Sequence, residues 1–188
     1  MSKVAIVGDP SGTGTFTISA PNGNTDRTLV LPDEAGTVLT TAGVPASAMP
    51  AGSIVQYVET NTDASISTSA SSTITDTGVV VTINPTSASN KLIVEVIGGA
   101  PTYGSSLAQF EIYLYRSING GAYTNIKKIA RQRQGSSWYI PHAYSYVDSP
   151  TTTQSVSYRL YYEGSGSSIY YFNSSGIPLT FSIKEVQA

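Results

Sequence analysis

The chain of 188 residues carries a net charge of −2, with 12% charged and 40% hydrophobic residues; no basic surface marks it for nucleic acid, and its apolar share is too high for a disordered chain. It has no cysteine, which excludes disulfides and thiolate metal sites. No apolar run is long enough to span a membrane, and Met1 opens a polar segment rather than a secretory leader, so a soluble, unprocessed protein is expected.

The first elements come in a region almost without aromatics, where Phe16 stands alone before Pro50. Gly8-Asp9-Pro10-Ser11-Gly12-Thr13-Gly14 has the glycines of a phosphate loop but no Gly-Lys-Ser/Thr and no helix after it, so it reads as a turn. Short strands are predicted at GTFTISA, RTLVLP and GTVLTT, separated by Gly, Pro and Asn turns. Large apolar side chains are too few here to offset the entropy of ordering. This segment therefore needs outside surface, either the rest of its own chain or sister copies wound about a common axis. TTAGVPASAMPAGS reads as a linker, giving an N-terminal attachment and trimerisation segment over 1–50 and a head over 51–188.

The head holds all 13 tyrosines and reads as strands. GVVVTIN and KLIVEVIG are β-branched runs bounded by turn formers. In LAQFEIYLYR, Phe110, Ile112 and Leu114 share one face, with Glu111, Tyr113 and Tyr115 opposite. Asn119-Gly120-Gly121 is a hairpin turn. AYTNIKKIARQRQ lacks a helical face and is assigned as a strand. YIPHAYSYV is another, with His142 half-buried or exposed. In SVSYRLYYEG, Val156, Tyr158, Leu160 and Tyr162 line one face; EGSGSS predicts a second hairpin, and IPLTFSIKEV repeats the alternation with Ile177, Leu179, Phe181 and Ile183. Eight to ten strands at this spacing predict an all-β antiparallel sandwich, most simply a jelly roll.

GTGTFTISAPNGNTDRTLVLPDEAGTVLTTAG, over about residues 8–43, resembles a segment of bacteriophage tail fibres and related virion appendages, with Leu-Pro-Asp-x-x-Gly-Thr intact at Leu31 to Thr37. KLIVEV, YRLYYEG and FSIKEV are similar to parts of the jelly-roll tips of such fibres. The resemblance implies a homotrimer, a virion location, contacts to other virion proteins through the N-terminal segment, and binding to host polysaccharide or lipopolysaccharide. The chain has room for a stub and a tip but no long shaft, which also fits a capsid decoration, cement or head-fibre protein.

Candidate chemistry is sparse. One histidine without cysteine is a poor start for zinc, and the serines have only His142 as base, with Asp148 near it in sequence alone. The twelve acids are scattered, and the adjacent pair Asp33-Glu34 suits a turn better than a glycosidase. The expectation is therefore no catalytic residue, no metal and no cofactor, with a polysaccharide depolymerase and a non-viral carbohydrate-binding module as other readings. Trp138 and Tyr139 in QGSSWYIP and Tyr103 in GAPTYGSS are loop aromatics, suited either to stacking on sugar or to plugging a loop or subunit seam. Lys127, Lys128, Arg131 and Arg133, four of the ten basic residues, suit either an anionic surface polymer, or a solvated strand or a site paired to glutamates of a neighbouring subunit.

Overall fold

The computed structural model describes residues 10–15, 17, 19, 22–26, 28, 44–68, 72–99, 102–103, 108–134, 141–165, 170–173 and 176–188, and the chain divides into two units, Met1–Val38 and Leu39–Ala188. The described residues of the first unit are exposed and lie in no strand. Five of them (Gly14, Thr15, Thr17, Ser19 and Thr28) fall on predicted strands, and such small polar side chains leave little to bury. GTVLTT, with Asp33 and Glu34, lies outside the described residues.

The described part of the second unit begins with a 3-10 turn at Ala46–Ala48. The strands follow as β1 (Ile54–Thr62), β2 (Ile66–Thr68), β3 (Thr75–Ile83), β4 (Lys91–Gly98), β5 (Thr102–Tyr103), β6 (Ala108–Ile118), β7 (Thr124–Gln134), β8 (His142–Asp148), β9 (Val156–Ser165), β10 (Tyr170–Asn173) and β11 (Leu179–Val186). One sheet has the order β1-β11-β4-β8 and a second β3-β9-β6-β7, with antiparallel pairs throughout. First and last strands are neighbours in one sheet, and β3 and β9 in the other. That nesting is a jelly roll, as the strand spacing predicts.

Alternation decides which side chains meet between the sheets. β9 buries Val156, Tyr158, Leu160 and Tyr162, and β6 buries Phe110, Ile112 and Leu114. Facing them are Leu92, Val94 and Val96 of β4 and Leu179, Phe181 and Ile183 of β11. Burying side chains of this size contributes about 1.5–3 kcal/mol each. AYTNIKKIARQRQ is indeed a strand, but two register shifts between β6 and β7 break its period. The shifts let Ile126, Ile129 and Ala130 all reach the core, which explains the weak alternation. The β6–β7 hairpin turns at Asn119 (φ 52°) and Gly120 (φ 71°), closed by Gly121 N donating to Ile118 O at 3.0 Å. Positive φ at both central residues makes it a type I′ turn.

A third sheet, β2-β10-β5, is built from the connections β1–β3, β4–β6 and β9–β11. It corrects the second hairpin expected at EGSGSS: β9 runs on through Gly164 to Ser165, and β10 pairs with β2 and β5 instead of β9. Gly164 is opposite Phe110, so a residue that usually marks a turn serves inside a strand.

Candidate functional site

Register sorts the connections to two ends of the sandwich. Thr62, Leu179, Gly98 and His142 stand in one row across the first sheet. Connections 63–74, 99–107, 135–141 and 166–178 all leave the strands at this end, here termed the tip. The chain enters β1 and leaves β11 at the other end, where Gly52 N donates to Gln187 O (2.8 Å) and Gln187 N to Ser53 O (2.9 Å).

The entry end is fastened by two buried carboxylates. Asp148 accepts from Arg116 Nη1 (3.0 and 2.8 Å), from the Tyr158 hydroxyl (2.6 Å) and from Ser149 N (2.9 Å). It thereby ties β8 of one sheet to β6 and β9 of the other. Burial and the Asp148 carboxylate push the Tyr158 phenol well above its ordinary range. Glu185 Oε1 accepts from Thr86 N (2.7 Å), Thr86 Oγ1 (2.9 Å) and Asn90 Nδ2 (2.8 Å), shaping the β3–β4 connection.

The outer face of the second sheet carries a polar and aromatic array. Glu111 and Glu163 stand opposite each other on β6 and β9, a repulsive placement. The Tyr113 hydroxyl sits between them, 2.5 Å from Glu111 Oε2 and 2.6 Å from Glu163 Oε2. From β7, Lys128 Nζ reaches Glu111 Oε2 (2.5 Å) and Arg131 Nε reaches Oε1 (3.1 Å); Gln109 Nε2 adds a bond to Oε1 at 2.8 Å. Burial pushes the Glu111 carboxyl up, but the bonds from Lys128 and Tyr113 and the charges of Lys128 and Arg131 outweigh it and hold it below its ordinary value. Burial and the two glutamates raise the Tyr113 phenol well above its ordinary range. Beside this cluster, Tyr115 and Tyr161 pack at 4.1 Å between centroids. Arg159 lies over Tyr123 (4.5 Å) and pairs with Asp76 (2.6 Å), presented by a β-bulge at Gly78.

Two acids bridged by one phenol lie within about 5 Å of each other, the separation of a retaining glycosidase pair. Each oxygen of Glu111 already has two partners, Gln109 and Arg131 at Oε1 and Lys128 and the Tyr113 hydroxyl at Oε2, which fills the capacity of a carboxylate oxygen, and the side chain is buried. The pair therefore acts as a clasp between three strands. Sequence reading missed it, although Glu111, Tyr113, Tyr161 and Glu163 all fall on the non-core parity of their strands; the signal was there, but the register was needed to bring them together.

The sequence-predicted residues fall in two places. Tyr103 lies on β5 of the tip sheet, its backbone paired with Tyr170 of β10. Trp138 and Tyr139 lie outside the described residues, in the connection whose flanking strands end at the tip. Lys127, Lys128, Arg131 and Arg133 all belong to β7. Lys127, Lys128 and Arg131 are exposed, and the last two are bound to Glu111 of the same chain. Among the described residues no three metal-binding side chains of the His, Cys, Asp and Glu types come together. His142, expected half-buried or exposed, is instead 1% exposed, because β10 crosses over it. Asp148 is at the opposite end of β8 and engages Arg116 and Tyr158, so the two form no catalytic pair.

The fold is thus that of a jelly-roll β-sandwich with a small sheet at its tip. No protein-family model and no curated protein matches the chain. Among solved structures, a chain from infectious bursal disease virus, Gt strain, is similar at 16% identity and TM-score 0.33, covering 72% of this chain and 39% of that one. A chain from the Gx strain gives 11% identity and TM-score 0.29, over 72% and 43%. The chain spans about two fifths of the length of these neighbours.

Proposed function

We propose that the protein is a bacteriophage virion component, a short tail fibre or fibre tip, whose jelly-roll head binds glycan on the host surface without catalysis. The observation that carries this reading is the segregation of the two ends. The chain enters and leaves at one end, and four connections gather at the other, where loops on a rigid scaffold commonly hold binding residues. Tyr103 has its backbone there, and the connection containing Trp138 and Tyr139 starts and finishes there. The Leu31 to Thr37 motif supports attachment to a virion through the N-terminal segment and assembly as a homotrimer. Three copies of a weak sugar site on one particle raise avidity well above single-site affinity.

The test is binding of the full chain to an array of bacterial lipopolysaccharides and capsular polysaccharides, with light scattering to give the assembly state. Trp138→Ala, Tyr139→Ala and Tyr103→Ala are each expected to weaken binding by tenfold or more, while Lys127→Ala on β7 changes it little. A reducing-sugar assay on the bound polymer is expected to stay flat. Equal binding by all three tip variants, or a monomer in solution, overturns the reading.

A further inference from the structure

His142 opens β8 at the tip and is buried, opposite Gly98 of β4. Its Nε2 lies 3.0 Å from the carbonyl oxygen of Phe172. A carbonyl only accepts, so Nε2 carries the proton and donates. Nδ1 is then the bare nitrogen of a neutral ring, buried without a hydrogen-bond partner among the described residues.

The residue that His142 holds is the peg of the tip sheet. β10 is the central strand of that sheet, between β2 and β5, and both ladders are short. Phe172 of β10 is fully buried among side chains of the sandwich. Its ring stacks on His142 at 4.9 Å and lies 6.5 Å from Phe110 and 5.9 Å from Tyr162. Asn173, next in the strand, donates to Ala64 O (3.3 Å) and Ile177 O (3.2 Å).

We infer that neutral His142 is a positioning residue that latches β10 to the sandwich, and that its protonation releases the tip sheet while the eight-stranded body stays folded. A second proton would go to Nδ1, which faces no acceptor among the described residues, and would place a cation among aromatic rings. Among the described residues the neighbours on each side offer it no counter-charge: Phe110 from β6, Phe172 from β10, Gly98 from β4 and Tyr144 from β8 itself, with the Tyr162 phenol of β9 further along the cluster. Burial is the chief cause that lowers the imidazole to about 4, against a smaller opposing effect of the Phe172 carbonyl.

The sign follows from linkage. The latched ring titrates lower than a released one, so the latch is fully held above the ordinary value and weakens as pH falls toward about 4. With an ordinary value of 6.5 for the released ring, the opening equilibrium rises roughly 30-fold between pH 7.5 and pH 5.

Amide hydrogen exchange of the full chain, followed by mass spectrometry and normalised to intrinsic rates at each pH, tests this. Peptides covering β2 and β10 are expected to lose about 30-fold in protection at pH 5, while β4 and β11 keep theirs. His142→Gln, which retains a donor but does not titrate, is expected to remove the pH response. The inference is overturned if all strands lose protection together, if β2 and β10 lose none, or if the variant responds as the parent does. Should the variant fail to fold, proton NMR of the parent's single histidine decides: titration near 6.5 in the native state overturns the latch, and titration well below it sustains the latch. None of these readouts involves glycan, so they stand or fall apart from the binding function.

Discussion

Tyr158→Phe isolates one hydrogen bond that crosses the sandwich. The phenol is fully buried, and its hydroxyl donates to Asp148 Oδ2 at 2.6 Å. A bond to an ionised acceptor contributes about 1.5–3 kcal/mol. Asp148 keeps Arg116 and Ser149 N in the variant, so its charge stays compensated and the loss should be near 2 kcal/mol, about 4–8 °C in Tm for a domain of this size. Urea unfolding followed by circular dichroism measures it at pH 7. The alkaline limb gives a second check. Burial and Asp148 raise the folded-state phenol above its unfolded value, so its contribution is complete below about pH 10 and is lost as pH rises beyond; the variant should flatten part of that fall. A loss under about 0.5 kcal/mol, or no coupling to Asp148→Ala in a double-mutant cycle, would refute the claim that this group ties the sheets together.

Lys128→Met should cost below about 1 kcal/mol at pH 7, since the lysine is nearly half exposed. It should also move the acid unfolding midpoint upward. Glu111 titrates below its unfolded value, so its contribution is present above the ordinary carboxylate range and lost as pH falls through it, and removing Lys128 brings that loss to higher pH. Glu185→Ala leaves Thr86 N without its acceptor and the buried Asn90 amide with only its longer bond to Thr86 Oγ1, and a loss of about 2–3 kcal/mol is expected in calorimetry. Gly120→Ala should cost about 1 kcal/mol by denaturant titration, through its φ of 71° alone, because open space surrounds the added methyl.

The strands β4, β6, β9 and β11 are legible because each buries one parity of side chains and exposes or hydrogen-bonds the other. Tyr158 and Tyr162 share a face with Val156 and Leu160 in the sequence, which suits a core or a subunit interface alike, and the structure buries all four in the core. What escaped reading depends on pairing between distant segments. β2, β5 and β10 are too short to show a period, and their partners are set by which connections meet at the tip. His142 sits in a plain alternating strand; its burial comes from Phe172, thirty residues on. Glu111 looked like one more outward acid until β7 delivered Lys128 and Arg131 to it. The basic run of β7 shows the same limit from the other side: its charges are visible in sequence, but the glutamate that binds two of them is not.

Where the polar contacts lie has a consequence for motion. At the entry end Asp148 and Glu185 are buried with several donors each, and the segments that lead into β1 and out of β11 are bonded to one another. At the tip the ladders are two or three residues long, and among the described residues Phe172, Asn173, His142 and the partly buried Ile66 fasten the sheet to the sandwich. Local opening costs least where buried area and backbone bonds are fewest. Under the proposed function a glycan would present irregular, hydrated surface, and a tip that can shift at small cost would suit it better than a rigid one. The same weakness makes the tip the part of the molecule that a single proton can release, since the body of the sandwich does not depend on His142 for its own sheets.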